Sequence, residues 1–179
     1  MNWQKILGII TSGTSNDDLE KGTLYHELEQ LFSDLPEEEI RFIAGFAGLL
    51  GRVALSDMRL EPEEVSKIRE ILNTRTSLTP ERIDRILELI RLQADQLFGS
   101  ENIYYVRLIN DTADRSRKME VLDALFAVAA ANDSITTEEE AELRLIADSL
   151  GLYHSEYIRV RLRYRDQLDV LKKSPPRGQ

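Results

Sequence analysis

The chain has 179 residues, 42% of them apolar and 31% charged, a net charge of −9 and no cysteine. This length suits one domain with a single core, and the missing cysteines exclude disulfides, thiolate metal sites and cysteine nucleophiles. The acidic balance stands against a nucleic-acid partner, and the longest uncharged run, Phe42 to Gly51, is too short to span a membrane.

In chain order, Trp3, Ile6, Leu7 and Ile10 fall on one face of a short helix expected to dock on the body. No charged segment followed by a long apolar run opens the chain, so no secretory leader and a cytoplasmic location are expected. A polar linker, Thr11 to Asn16, precedes a helix through Leu24, Leu28 and Leu31 that ends near Ser33. Pro36 to about Ser56 reads as one long helix, apolar almost all round in its middle and therefore central. Its glycines 45, 48 and 51 share a narrow stripe. Glycine costs about 1 kcal/mol in a helix interior, so the stripe predicts a close helix crossing.

A turn and a second helix ending near Thr74 follow. Thr79 and Pro80 start another, with a cap and a first-position proline. Ile83, Ile86, Leu87, Ile90 and Leu97 give it an apolar face, and Gly99-Ser100 breaks it. A helix through Ile103, Tyr104, Val106 and Leu108 runs toward Asn110. Arg115 to Ala131 is the second central helix. Its small residues Ala124, Ala127 and Ala131 are the expected partners of the glycine stripe. From Tyr157 to Arg165, apolar residues alternate with Arg159, Arg161, Arg163 and Arg165. Alternation is a strand pattern, but a lone strand has no ladder partner, so a helix is expected. On an acidic chain the arginines should pair with nearby carboxylates. The end of the chain should be a disordered tail.

The chain repeats itself. Leu50 to Leu72 overlies Leu125 to Gly151 when Leu60 is paired with Ile135. Val53 then meets Val128, Ala54 meets Ala129, Glu63 and Glu64 meet Glu138 and Glu139, and Ile71 meets Ile146. In the second copy Thr136 and Glu139 have capping-box spacing. In the first, Pro62 suits the first helical position, with Glu63 and Glu64 in the positive first turn. Ile68, Ile71 and Leu72 mark one face, as do Leu143, Ile146, Ala147 and Leu150. Gly151 is the expected left-handed stop.

An apolar helix, a turn of the form Ala-x-Asp-Gly-x-Ile-x-x-x-Glu, a second helix and Leu-Gly-Leu together resemble the TerB (tellurite-resistance protein B) family. The related N-terminal domain of the DjlA co-chaperone looks similar. The resemblance reaches from about Pro36 to Arg165. Asp57, Leu60 and Glu64 stand at the family's Asp, Ile and Glu, with Met58 at its Gly. In the second copy Asn132 stands at the Asp position and Asp133 at the Gly, a residue that tolerates positive φ.

The carboxylates of the two turns are the one constellation with chemistry to weigh. A hard dication such as calcium or magnesium takes several oxygen ligands. Asp57 and Glu64, brought beside Asn132, Asp133 and Glu139 by pseudo-twofold packing, would supply them. The capping roles of Glu64 and Glu139, and Asx-type bonds by Asp57 and Asn132, explain the same residues without a metal. Neither turn has EF-hand spacing, and His26 and His154 form no Glu-x-x-His pair. No phosphate loop or nucleophile–base motif stands out.

The expected fold is all-α, a compact bundle of about seven to nine helices in two pseudo-symmetric halves. Residues 1–33 are an appendage packed on the core, 34–168 the TerB-like domain and 169–179 the tail. The resemblance implies a non-catalytic binding or scaffold module in a stress-response or chaperone-linked assembly. It would have other proteins as partners, no cofactor, and a homodimer as one open arrangement. The alternative is a divalent-metal sensor or metal-dependent hydrolase built on the acidic turns.

Overall fold

The computed structural model describes residues 24–55, 60–94 and 102–172. The expected Trp3–Ile10 helix, the linker after it, Leu97, the Gly99-Ser100 break and the tail beyond Lys172 lie outside these residues. Among the described residues the fold is all-α. The helices are α1 (Leu24–Leu31), α2 (Glu37–Ala54), α3 (Pro62–Arg75), α4 (Pro80–Leu92), α5 (Asn102–Thr112), α6 (Arg115–Ala129), α7 (Thr137–Ser149), α8 (His154–Arg161) and α9 (Asp169–Lys172), with a 3-10 turn at Leu162–Tyr164. No strand forms among them; one isolated bridge joins Ile135 to Leu168. None of these helices is long and apolar enough to cross a membrane.

The core is built around α2. Its residues from Phe42 to Gly51 are all buried, which is what an apolar circumference demands. Helices α1, α3, α4, α5 and α6 all pack on it. Leu24 and Leu28 of α1 are fully buried, so this helix belongs to the same core.

The glycine stripe does meet a close neighbour, but a different one from the expected alanine stripe of α6. A Cβ on Gly48 would stand 2.3 Å from Cδ1 of Tyr105, and one on Gly45 would stand 3.0 Å from Cβ of Leu108. Both neighbours belong to α5. The physical reason is volume: the glycines make room for the flat face of a buried tyrosine, which an alanine-bearing helix does not need. Helix α6 also packs on α2, and Ala124 and Ala129 are buried.

Helix starts follow local chemistry with one exception. Oδ1 of Asp114 accepts the Arg117 N–H at 2.8 Å and caps α6. Thr79 occupies the N-cap position of α4 but its hydroxyl makes no capping bond, so Pro80 and the first-turn Glu81 mark that start. Gly151 has φ +73° and Asp133 φ +63°, both in the left-handed region. These are the positions where a helix stop and a tight turn were expected.

The arginine-rich segment is helical. Tyr157 and Val160 turn inward, while Arg161 reaches Glu140 of α7 at 2.6 Å and Arg163 reaches Asp123 of α6 at 3.0 Å. Arg165 pairs loosely with Asp166 at 3.8 Å. The Tyr164 ring stacks on Phe126 with centroids 5.4 Å apart, and its hydroxyl donates to the Asp123 carbonyl at 3.0 Å. The chain then passes beside the turn that precedes α7. The Ile135 N–H donates to the Gln167 carbonyl at 2.8 Å, and the Asp169 N–H to the Ile135 carbonyl at 3.0 Å. Ordered chain thus continues past the expected boundary at Leu168. Asp169–Lys172 is a helical turn where a disordered tail was expected to begin, because these two bonds satisfy the backbone of an otherwise open turn.

Candidate functional site: an acidic groove between two helix starts

The first turns of α3 and α7 face each other across a groove of about 370 Å³. Glu61 and Glu64 line it from the start of α3. Asn132, Ser134 and the N-cap Thr136 line it from the turn before α7, and Glu138, Glu139 and Glu142 from α7 itself. Each carboxylate near a helix start lies in the positive field of that helix, which lets several share a small space.

The capping chemistry is visible bond by bond. The Thr136 hydroxyl accepts the Glu139 N–H at 3.2 Å, and Oε2 of Glu139 accepts the Thr136 N–H at 2.8 Å. This is the reciprocal box expected from the sequence. In the first copy Oε2 of Glu64 accepts the Glu61 N–H at 3.0 Å. Glu64 is only 5% exposed. A carboxylate so buried needs hydrogen-bond partners, and the helix start supplies one. Oδ1 of Asn132 accepts the Ser134 N–H at 3.3 Å, closing its own turn. Ser134 in turn donates to Asp169 at 2.7 Å, which ties α9 to the rim.

Of the five residues expected to share a site, Glu64, Asn132 and Glu139 do line one groove. Asp133 is exposed at the left-handed tip of its turn and is not among the lining residues. Asp57 lies outside the described residues. Among the described residues no three His, Asp or Glu side chains are arranged to hold a metal ion. A dication in the groove would share Glu64 and Glu139 with the helix caps.

Sequence reasoning missed Glu61, Glu138 and Glu142 as lining residues. Glu138 and Glu142 are four apart and so share a helix face, a signal that was available. Glu142 is also held by Arg52 of α2 at 2.8 Å, with both side chains mostly buried. That long-range pair, 90 residues apart, left no local mark.

The family model described as "Tellurite resistance protein TerB" matches residues 43–162, from the middle of α2 to the start of the 3-10 turn. The chain belongs to the TerB family. The match includes both turns and every groove residue named above. No curated protein and no solved structure matches the chain. Within this TerB chain, Asn132 in place of the motif's Asp leaves the second turn with a neutral oxygen at the groove, while Glu61 and Glu142 add carboxylates from outside the motif.

Proposed function

We propose that this TerB chain is a non-catalytic binding module whose docking face is the acidic groove. Its partner is another protein carrying a basic segment, in a stress-response or chaperone-linked assembly. The observation that carries the reading is the fixed state of the groove's carboxylates. Glu64 and Glu139 are engaged in helix caps and Glu142 in the pair with Arg52. With those three held in place, the exposed Glu61 and Glu138 give the groove rim a negative surface, which selects and steers a cationic partner. The test is crosslinking capture from native lysate with chelator present, comparing the parent with Glu61→Lys/Glu138→Lys. Both positions are exposed, so the fold should survive. A partner held by the parent and lost by the double variant supports the module. Identical capture by both sinks it.

A second reading has its own motive. Five glutamates and the Asn132 amide line about 370 Å³; among the described residues no three carboxylates converge as they stand, but rotation of these side chains onto calcium or magnesium would supply its oxygen ligands, as in a metal sensor or a metal-dependent hydrolase. A ligand that binds only the folded state raises its stability. The thermal midpoint should then climb by many degrees from chelator to millimolar dication, and the climb should vanish in Glu139→Gln. A flat response removes this reading.

A further inference from the structure

On another side of the molecule, a cleft of about 270 Å³ opens between α2, the end of α3 and the start of α6. It shares no lining residue with the acidic groove. We propose that this cleft binds a small hydroxylated phosphate, of the sugar-phosphate class.

Two arginines frame it. The Arg117 guanidinium lies 3.5 Å above the centre of the Phe42 ring. Among the described residues it makes no ion pair, which sets it apart from Arg52, Arg161 and Arg163. Stacking on a ring leaves the in-plane N–H fork of a guanidinium directed outward. Arg75 lines the same cleft and is held only loosely, at 3.7 Å from Glu120 and 3.5 Å from Asp123. The outward fork of Arg117, with the loosely paired Arg75 guanidinium beside it, matches the acceptor oxygens of a phosphate.

Apart from Ser77 and the apolar Phe42 and Ile43, the rest of the wall has the opposite hydrogen-bonding character. Thr74 already donates its hydroxyl proton to the Glu70 carbonyl at 2.9 Å, and Thr76 donates to the Leu72 carbonyl at 2.5 Å. Their oxygens are left as acceptors, that of Thr76 already taking the Leu78 N–H at 3.4 Å. Glu39, on the α2 side, is also an acceptor. Acceptors beside two cations call for a ligand that is an anion at one end and a hydroxyl donor at the other. The volume falls just below the roughly 300 Å³ at which sites for drug-sized molecules begin, so the ligand is small. A chain of net charge −9 repels anions at long range; the selectivity must come from these local contacts.

The test is a two-dimensional NMR titration of the full chain, reading arginine Nε–H signals and the amides of 74–77. The probes are glucose 6-phosphate, glucose and inorganic phosphate, at constant ionic strength. Glucose 6-phosphate should give saturable shifts with a Kd of roughly 1 mM or tighter, and glucose none. Affinity should fall about tenfold or more in Arg117→Gln and in Arg75→Gln, the scale of one charge-assisted contact. Arg159→Gln, an exposed arginine on α8, should leave it unchanged. The proposal is overturned if no shift saturates, if inorganic phosphate binds as tightly as the sugar phosphate, or if the two cleft variants bind like the parent.

Discussion

At the scale of single residues, the structure separates charge from geometry at Glu139. Its carboxylate closes the capping box on α7 through the Thr136 N–H. Glu139→Gln keeps an acceptor at the same place and removes only the charge at a helix start, so it should cost a few tenths of a kcal/mol. Glu139→Ala also removes the back-bond and should cost up to about 1 kcal/mol. Urea unfolding of both variants checks this order; equal losses would mean the charge, not the cap, is what matters. Tyr164 offers a pH test. Burial, with Asp123 beside it, pushes its hydroxyl up to about 12 from an ordinary value of 10.0. The folded state therefore holds the proton more tightly than the unfolded chain. Stability from this group is complete below pH 10, where both states are protonated, and is lost as pH rises from about 10 to about 12. Tyr105, buried under α2, is raised to about 12 by burial and acts in the same direction. Tyr164→Phe should make the fall in stability between pH 10 and 12 shallower than in the parent. An unchanged slope in alkaline denaturation curves would remove Tyr164 from the account.

At the scale of elements, the crossing of α2 and α5 is the tightest contact that the sequence foreshadowed. Three glycines on a stripe announced a close approach, and the approach exists, but a stripe of small residues cannot name the surface it faces. The Tyr105 ring fills the space over Gly48, within 2.3 to 2.6 Å of where a Cβ would sit. Gly48→Leu should overpack this contact and cost about 1–3 kcal/mol, outweighing the roughly 1 kcal/mol of helix propensity that glycine forfeits. Pairing it with Tyr105→Ala should recover part of the loss, because the two substitutions share one space. Additive losses in a double-mutant cycle would show that Gly48 and Tyr105 do not meet.

At the scale of the whole molecule, the C-terminal segment works as a clasp on the turn before α7. Ile135 and Leu168 form the isolated bridge, and both side chains are buried, at 1% and 0% exposure. The same turn carries Asn132, Ser134 and Thr136 of the acidic groove. Leu168→Ala should cost about 2–5 kcal/mol, the range for a fully buried leucine, and should speed amide exchange at Ile135. A loss under about 0.5 kcal/mol, typical of a surface site, would mean the segment only rests on the body.

Much of this was legible because it is local. Periodicity placed the helices from α1 to α7, since an apolar face recurs every three to four residues whatever it packs against; in α8 the alternation pointed to a strand, and only the want of a partner strand made a helix the expectation. Thr136–Glu139, Pro62 and Gly151 marked their helix ends because caps, first-turn prolines and left-handed stops act within a few residues. The spacing of residues in the turn before α7 pointed to the TerB family for the same reason. Whatever depends on contacts distant in the chain was decided by tertiary structure. Thr79 has the right residue type for a cap, yet its hydroxyl makes no capping bond. Helix α5 rather than α6 takes the glycine stripe, Arg52 reaches Glu142, and Gln167 and Asp169 bind Ile135. Arg117, stacked on Phe42, and Arg75 line one cleft only when α3 and α6 pack on α2. Such pairings arise from the shape of packed helices, and residue spacing along the chain carries no record of them.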